Sequence, residues 1–161
     1  MINKIRIKMA DLNIGQDNET LITSGLGSCV GVTLYDKRTK IGGMAHVMLP
    51  ELPPNRDSGN PAKYADTALD ILVEKLEGAG ARKSRFEAKM AGGAQMFDFS
   101  NSNDKMRIGA RNIEAVKKYL KKHNIPVRGS EVGEDYGRTM EFDLATGKAT
   151  IKTVKKEDIV L

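Results

Sequence analysis

Apolar residues recur at helical spacing in two stretches of the chain and alternate with polar residues in most of the others. From about Pro61 to Glu77, Ala65, Ala68, Leu69, Leu72, Val73 and Leu76 fall on one face, the stripe of an amphipathic helix. Asn60 is placed to cap it, Pro61 suits a first helical position and Gly78 can end it. A second helix is predicted from about Ala110 to His123, with Ile113, Val116 and Leu120 as its stripe and Asn124 and Pro126 as its stop. Lys117, Lys118, Lys121 and Lys122 crowd its last turns, where cations suit the negative end of the helix dipole. Elsewhere the period is two. Ile5, Ile7 and Met9 alternate with charged residues, and Phe86, Ala88 and Met90 repeat the pattern. Met140, Phe142 and Leu144 lead through Ala145-Thr146-Gly147 into Ala149 to Val154, a predicted hairpin. Val30 to Tyr35 and Ile41 to Leu49 read as a further pair of strands.

The order is several strands, a helix, a strand, a helix and more strands. That lacks the regular alternation of a doubly wound sheet, so the expected class is α+β, with helices on one side of a largely antiparallel or mixed sheet. Leu52 to Pro61, with three Pro, a Gly and polar residues, reads as a loop. At 161 residues, the chain is expected to form one domain spanning 1–161.

Composition narrows the function. Hydrophobic residues make up 40% and charged residues 29%, which argues against a disordered chain. No apolar run approaches the roughly 20 residues of a membrane span, and the start lacks the apolar block of a secretory signal. A single Cys excludes an internal disulfide. Together these point to the cytoplasm, with no membrane insertion. The net charge of +5 comes from scattered Lys and Arg, and aromatic residues are only 5% with no Trp. Without a concentrated patch or stacking platforms, a nucleic-acid footprint is not expected.

That lone thiol is the first candidate for chemistry. Cys29 sits in Thr23-Ser24-Gly25-Leu26-Gly27-Ser28-Cys29-Val30. A solitary Cys is ordinarily a small buried hydrophobe. Here two glycines permit a tight turn, the thiol falls where a loop enters a strand, and N–H groups in such a turn can converge on an oxyanion. His46 lies in the apolar run Met44 to Leu49, whereas the only other His, His123, ends a lysine-rich helix. If the two strands form a hairpin turning on Lys37-Arg38, Cys29 stands directly opposite His46 with Cβ atoms about 5 Å apart. A slip of one residue would separate them onto opposite faces. Imidazolium beside a thiol favours the thiolate and should depress its pKa, and the same imidazole can protonate a leaving amine. Thr23 is a candidate third group that orients the ring, through its hydroxyl or its backbone carbonyl. One Cys and two distant His offer no metal site, and neither Gly42-Gly43 nor Gly92-Gly93 continues as a phosphate loop. These glycines are instead expected to allow close backbone packing around a narrow site.

Gly25-Leu26-Gly27-Ser28-Cys29-Val30, Ala45-His46-Val47-Met48-Leu49-Pro50, Lys63-Tyr64-Ala65-Asp66, Ala91-Gly92-Gly93-Ala94 and Ile108-Gly109-Ala110-Arg111-Asn112 occur in this order. The set resembles the bacterial and archaeal chemoreceptor glutamine deamidase family, CheD, over nearly the whole chain. The resemblance implies hydrolysis of glutamine side-chain amides in methyl-accepting chemotaxis receptors, giving glutamate through a thioester. Cys29 would be the nucleophile, His46 the base and acid, Thr23 the third member, and the N–H groups around Gly27 and Ser28 would hold the oxyanion. No cofactor is implied. The implied fold is a layered sandwich with two main helices on one side, similar to the catalytic domain of cytotoxic necrotizing factor. The implied partners are the receptors and a CheC-type CheY-phosphate phosphatase, and Phe97 and Phe99 are candidates for a rim that both would share. The reading from another class is a non-enzymatic adaptor that only binds receptor or phosphatase. A third is a redox sensor, which lacks a second Cys to resolve an oxidised thiol.

Overall fold

The computed structural model describes residues 3–96 and 107–161. Among these residues ten strands and two α-helices are arranged in the predicted α+β class. In chain order the strands are β1 (Asn3–Arg6), β2 (Asp11–Gln16), β3 (Glu19–Leu26), β4 (Val30–Asp36), β5 (Ile41–Val47), β6 (Glu87–Gly92), β7 (Val127–Val132), β8 (Arg138–Asp143), β9 (Lys148–Lys152) and β10 (Ile159–Val160). Helix α1 (Ala65–Gly78) lies between β5 and β6, and α2 (Ile108–Lys122) between β6 and β7.

The strands form two five-stranded sheets, ordered β1-β3-β8-β9-β10 and β2-β5-β4-β6-β7. Both are mixed: β1 runs parallel to β3 and β6 parallel to β7, while the other neighbours are antiparallel. The second sheet is buried on both faces. Val30, Val32, Leu34, Ala45, Val47, Ala88 and Met90 pack with the apolar stripes of α1 and α2. Cys29, Tyr35, Met44 and Ala91 point the other way, into a core shared with Leu21, Leu26, Met140, Phe142 and Ile151 of the first sheet. Alternation along each strand divides these two cores, and the layers run helices, sheet, sheet.

The chain changes sheets between β3 and β4, and only Gly27, Ser28 and Cys29 make the crossing. A β-bulge between Thr23 and Leu26 bends β3 just before it, with Gly25 at φ +72°.

Two local expectations change. Pro61–Lys63 is a short 3-10 turn whose Ala62 N–H is capped by the Asn60 side chain, and Tyr64 is extended (φ −105°, ψ 142°). The α-helix therefore starts at Ala65, because the Met48 and Leu49 N–H groups both donate to the Lys63 carbonyl and hold that segment against the end of β5. The second correction is the β4–β5 turn. It has four residues, not two, since Asp36 pairs with Ile41. The Asp36 carboxylate accepts from the Arg38 N–H, its carbonyl accepts from the Lys40 N–H, and Lys40 takes φ +57°. An Asp that hydrogen-bonds the backbone two residues on nucleates such a turn.

Candidate active site

The longer turn moves the register by two positions. Gly31, not Cys29, stands opposite His46. A shift of two preserves the face, so Cys29 and His46 remain on the same side, but as diagonal neighbours about 7 Å apart and not as the facing pair expected, with no hydrogen bond between the thiol and the ring. That side faces the first sheet, from which Thr23 points back. Thr23 shares a strand face with Leu21, and its Oγ1 lies 2.7 Å from His46 Nδ1. Thus Cys29 comes from the crossing segment, His46 from one sheet and Thr23 from the other.

Hydrogen bonding defines the tautomer of His46. Thr23 Oγ1 donates its one proton to the Ile7 carbonyl at 2.7 Å, so toward the ring it can only accept. Nδ1 must then carry the proton, and Nε2 presents a lone pair. Among the described residues Nε2 has no hydrogen-bond partner, although His46 is fully buried. A buried imidazole with one nitrogen oriented and the other open is arranged to accept a proton. The contact is made by the Thr23 hydroxyl, one of the two routes left open by the sequence. Replacing Thr23 by Val is expected to lower turnover by about 10²-fold, whereas Thr23→Ser retains most of it; steady-state kinetics on both variants checks this.

Burial overturns the expected charge state. It pushes the Cys29 thiol up from its ordinary value, against a smaller lowering by the Cys29 N–H. It pushes His46 down from 6.5 to about 4. Among the described residues no carboxylate or cation offsets the desolvation of either group. At rest both groups are therefore neutral, thiol and imidazole, not the ion pair expected from a His beside a Cys. This has a consequence for stability. Between about pH 6.5 and 4 the unfolded chain binds a proton at His46 that the folded chain refuses, so stability falls as pH falls through that window. The contribution lost is about 3 kcal/mol. Urea unfolding at pH 7 and pH 4 should show that part of the acid loss in the native chain and not in His46→Asn.

The backbone around Cys29 is tied down carbonyl by carbonyl. Ala94 N–H donates to the Gly27 carbonyl and Gly93 N–H to the Cys29 carbonyl, each at 2.8 Å. The Asn112 side chain donates to the Ser28 carbonyl at 2.9 Å. Gly92 takes φ +105°, and a Cβ there would lie 2.3 Å from the Cys29 carbonyl oxygen. The second glycine pair thus supports the site as expected. Gly42 and Gly43 instead make room for Leu144, Tyr35 and Leu72 in the two cores. Gly27 uses its own N–H on the Gly25 carbonyl at 3.0 Å. Ser28 and Cys29 N–H groups have no acceptor among the described backbone carbonyls.

Cys29 is 6% exposed, at the end of the second sheet where β2 and β4 begin and β5 and β6 finish. Met9 and Met96 are exposed at that same end, and the Met96 side chain packs over Gly27. Phe97 and Phe99, the rim candidates, lie outside the described residues. A depression of about 660 Å³ is lined instead by Pro50, Glu51 and the first turns of α2, without Cys29, His46 or Thr23. Among the described residues no group of three His, Cys, Asp or Glu could hold a metal ion. No helix there is long and apolar enough to cross a membrane.

Fold and site together describe an α+β protein with a free Cys at a strand crossing and a buried His oriented by Thr from a second sheet. The chain belongs to the CheD family: the family described as CheD chemotactic sensory transduction matches residues 48–153. That match begins after the three site residues, but full-length relatives span them. The chain is 52% identical over 155 residues to the "Chemoreceptor glutamine deamidase CheD" of Halalkalibacterium halodurans, covering 96% of each chain. It is 50% identical over 153 residues to a "Probable chemoreceptor glutamine deamidase CheD" of Clostridium botulinum, covering 95% of this chain and 94% of the relative.

Proposed function

We propose that this protein hydrolyses the side-chain amide of glutamines in chemotaxis receptors, with Cys29 as nucleophile. The observation that carries the reading is the His46 ring, held by the Thr23 hydroxyl at Nδ1 and open at Nε2, on the strand face shared with Cys29. The names of its relatives at about half identity supply the substrate class.

Nε2 takes the thiol proton as Sγ attacks the amide carbon. The oxyanion is met by the N–H groups of Ser28 and Cys29; Gly27 donates elsewhere. Protonated His46 passes its proton to the departing nitrogen, releasing ammonia and leaving a thioester. His46 then takes a proton from water as hydroxide adds to the thioester carbon, and returns a proton to Sγ as glutamate leaves. Because both groups begin neutral, no charge is buried before substrate arrives. The exposed Met9 and Met96 side chains offer adaptable apolar contact to a protein surface carrying the glutamine.

The resemblance extends this reading to a CheC-type phosphatase that competes with receptor for the same rim, including Phe97 and Phe99. That partner rests on the resemblance alone. Incubating the protein with a receptor cytoplasmic fragment, and locating amide-to-acid mass changes by peptide mapping, tests the activity. Adding the phosphatase to the same assay tests competition. Receptor binding without any mass change would replace the enzyme by the adaptor reading.

A further inference from the structure

Asn112 lies in the opening turns of α2 and is fully buried. Its Nδ2 donates to two carbonyls, Ser28 and Met48, each at 2.9 Å. Its Oδ1 is buried and has no hydrogen-bond partner among the described residues. An unsatisfied buried acceptor costs about 1–3 kcal/mol, so this side chain is poorly suited to filling space. What it does provide is two donors at one point.

Those donors act where the β4–β5 ladder has ended. The last paired residues are Val30 and Val47. Ser28 lies before Cys29, and Met48 is the second residue after His46. One amide nitrogen therefore ties the segment carrying the thiol to the strand carrying the imidazole. It also determines a peptide orientation. The described chain has no cis peptide, and in a trans peptide C=O and N–H point in opposite directions. The carbonyl of Ser28 and the N–H of Cys29 share one such plane. Held toward α2 by Asn112, the Ser28 carbonyl turns the Cys29 N–H away from α2, within reach of its own sulfur, where it favours negative charge. The neighbouring Gly27 and Cys29 carbonyls are fixed by backbone N–H groups; only the Ser28 carbonyl depends on a side chain for its described hydrogen bond.

We infer that Asn112 is a positioning residue for amide hydrolysis: it aims the Cys29 N–H at the oxyanion and sets the spacing of Cys29 and His46. The inference rests on the reading of Cys29 as nucleophile. It touches neither substrate nor reacting atoms.

The test compares Asn112→Ala, Asn112→Ser and Asn112→Asp with Cys29→Ala, measuring kcat and KM on a receptor fragment per folded molecule, with folding read by circular dichroism. Asn112→Asp is the discriminating variant. A buried carboxylate facing two carbonyls donates nothing, but the protonated acid donates one hydrogen bond. Its kcat should be low at pH 8 and recover toward about pH 5, a range in which the native profile is flat because His46 titrates at about 4. Asn112→Ala should lose about 10²-fold in kcat with KM little changed and no acid recovery. Asn112→Ser, keeping one donor, should fall between them. Native kcat per folded molecule at pH 8 in any folded Asn112 variant overturns the inference, as does an Asn112→Asp profile parallel to the native one. Full hydrolysis by Cys29→Ala would instead overturn the functional reading beneath it.

Discussion

Replacing Cys29 by Ala is expected to abolish ammonia release from a receptor fragment, by at least about 10³-fold, while the far-ultraviolet circular dichroism stays native. The side chain is small and sits at the edge of the core between the sheets, so removing its one sulfur leaves the fold intact. His46→Ala should fall to a similar floor, and the double variant no lower, because nucleophile and base act as a unit. The native pH profile adds a sharper condition. His46 must be neutral to accept the thiol proton, so kcat/KM is lost as pH falls through about 4 and is level above it. The ion pair suggested by residue types alone would have placed that limb near neutrality. A limb near pH 7 would mean that the site does not desolvate His46 as the structure shows. Undiminished hydrolysis by Cys29→Ala would remove the nucleophile.

Gly92→Ala is expected to be nearly as damaging, though Gly92 touches no reacting atom. At φ +105° an L side chain is strained, and its Cβ would stand 2.3 Å from the Cys29 carbonyl oxygen. That oxygen accepts from the Gly93 N–H, so the only relief is to move the Cys29 peptide and the thiol with it. Stability should fall by more than about 2 kcal/mol, and kcat of the remaining folded protein by about 10²-fold, since small displacements of a catalytic group are costly. Denaturant unfolding and single-turnover kinetics separate the two effects. Native kinetics in Gly92→Ala would show that the Cys29 peptide needs no support from β6.

Much of the fold was legible because burial imposes a period on the sequence. The stripe Ala65 to Leu76 became α1, and Ile113, Val116 and Leu120 became the buried face of α2. The predicted C-terminal hairpin is β8 and β9, joined through Gly147 at φ +76°. Strands β2, β3, β7 and β10 were not read. Asp11–Gln16 carries mixed polarity on an edge, and Ile159–Val160 is too short to show a period. The helix start at Ala65 escaped because Pro61 and Asn60 signal a beginning without distinguishing a 3-10 turn from an α-helix.

Cys29, His46 and Thr23 stood out by their chemistry and local context, and the Thr23–His46 contact brings two of them together. Asn112 sits one turn before Val116 on an otherwise apolar face, a polar residue where the period calls for a hydrophobic one. What the sequence by itself determined was the two helices, the strands with a clear period of two and the residues able to do chemistry, since all of these depend on side-chain type and near-neighbour spacing. Only the tertiary structure decided the rest. The four-residue turn at Asp36 moved the register of β4 and β5 by two. The crossing at Gly27 to Cys29 placed Thr23 on the sheet facing His46. Burial between those sheets left thiol and imidazole uncharged. Each of these depends on contacts between residues far apart in the chain, and desolvation belongs to the packed interior, not to any residue alone.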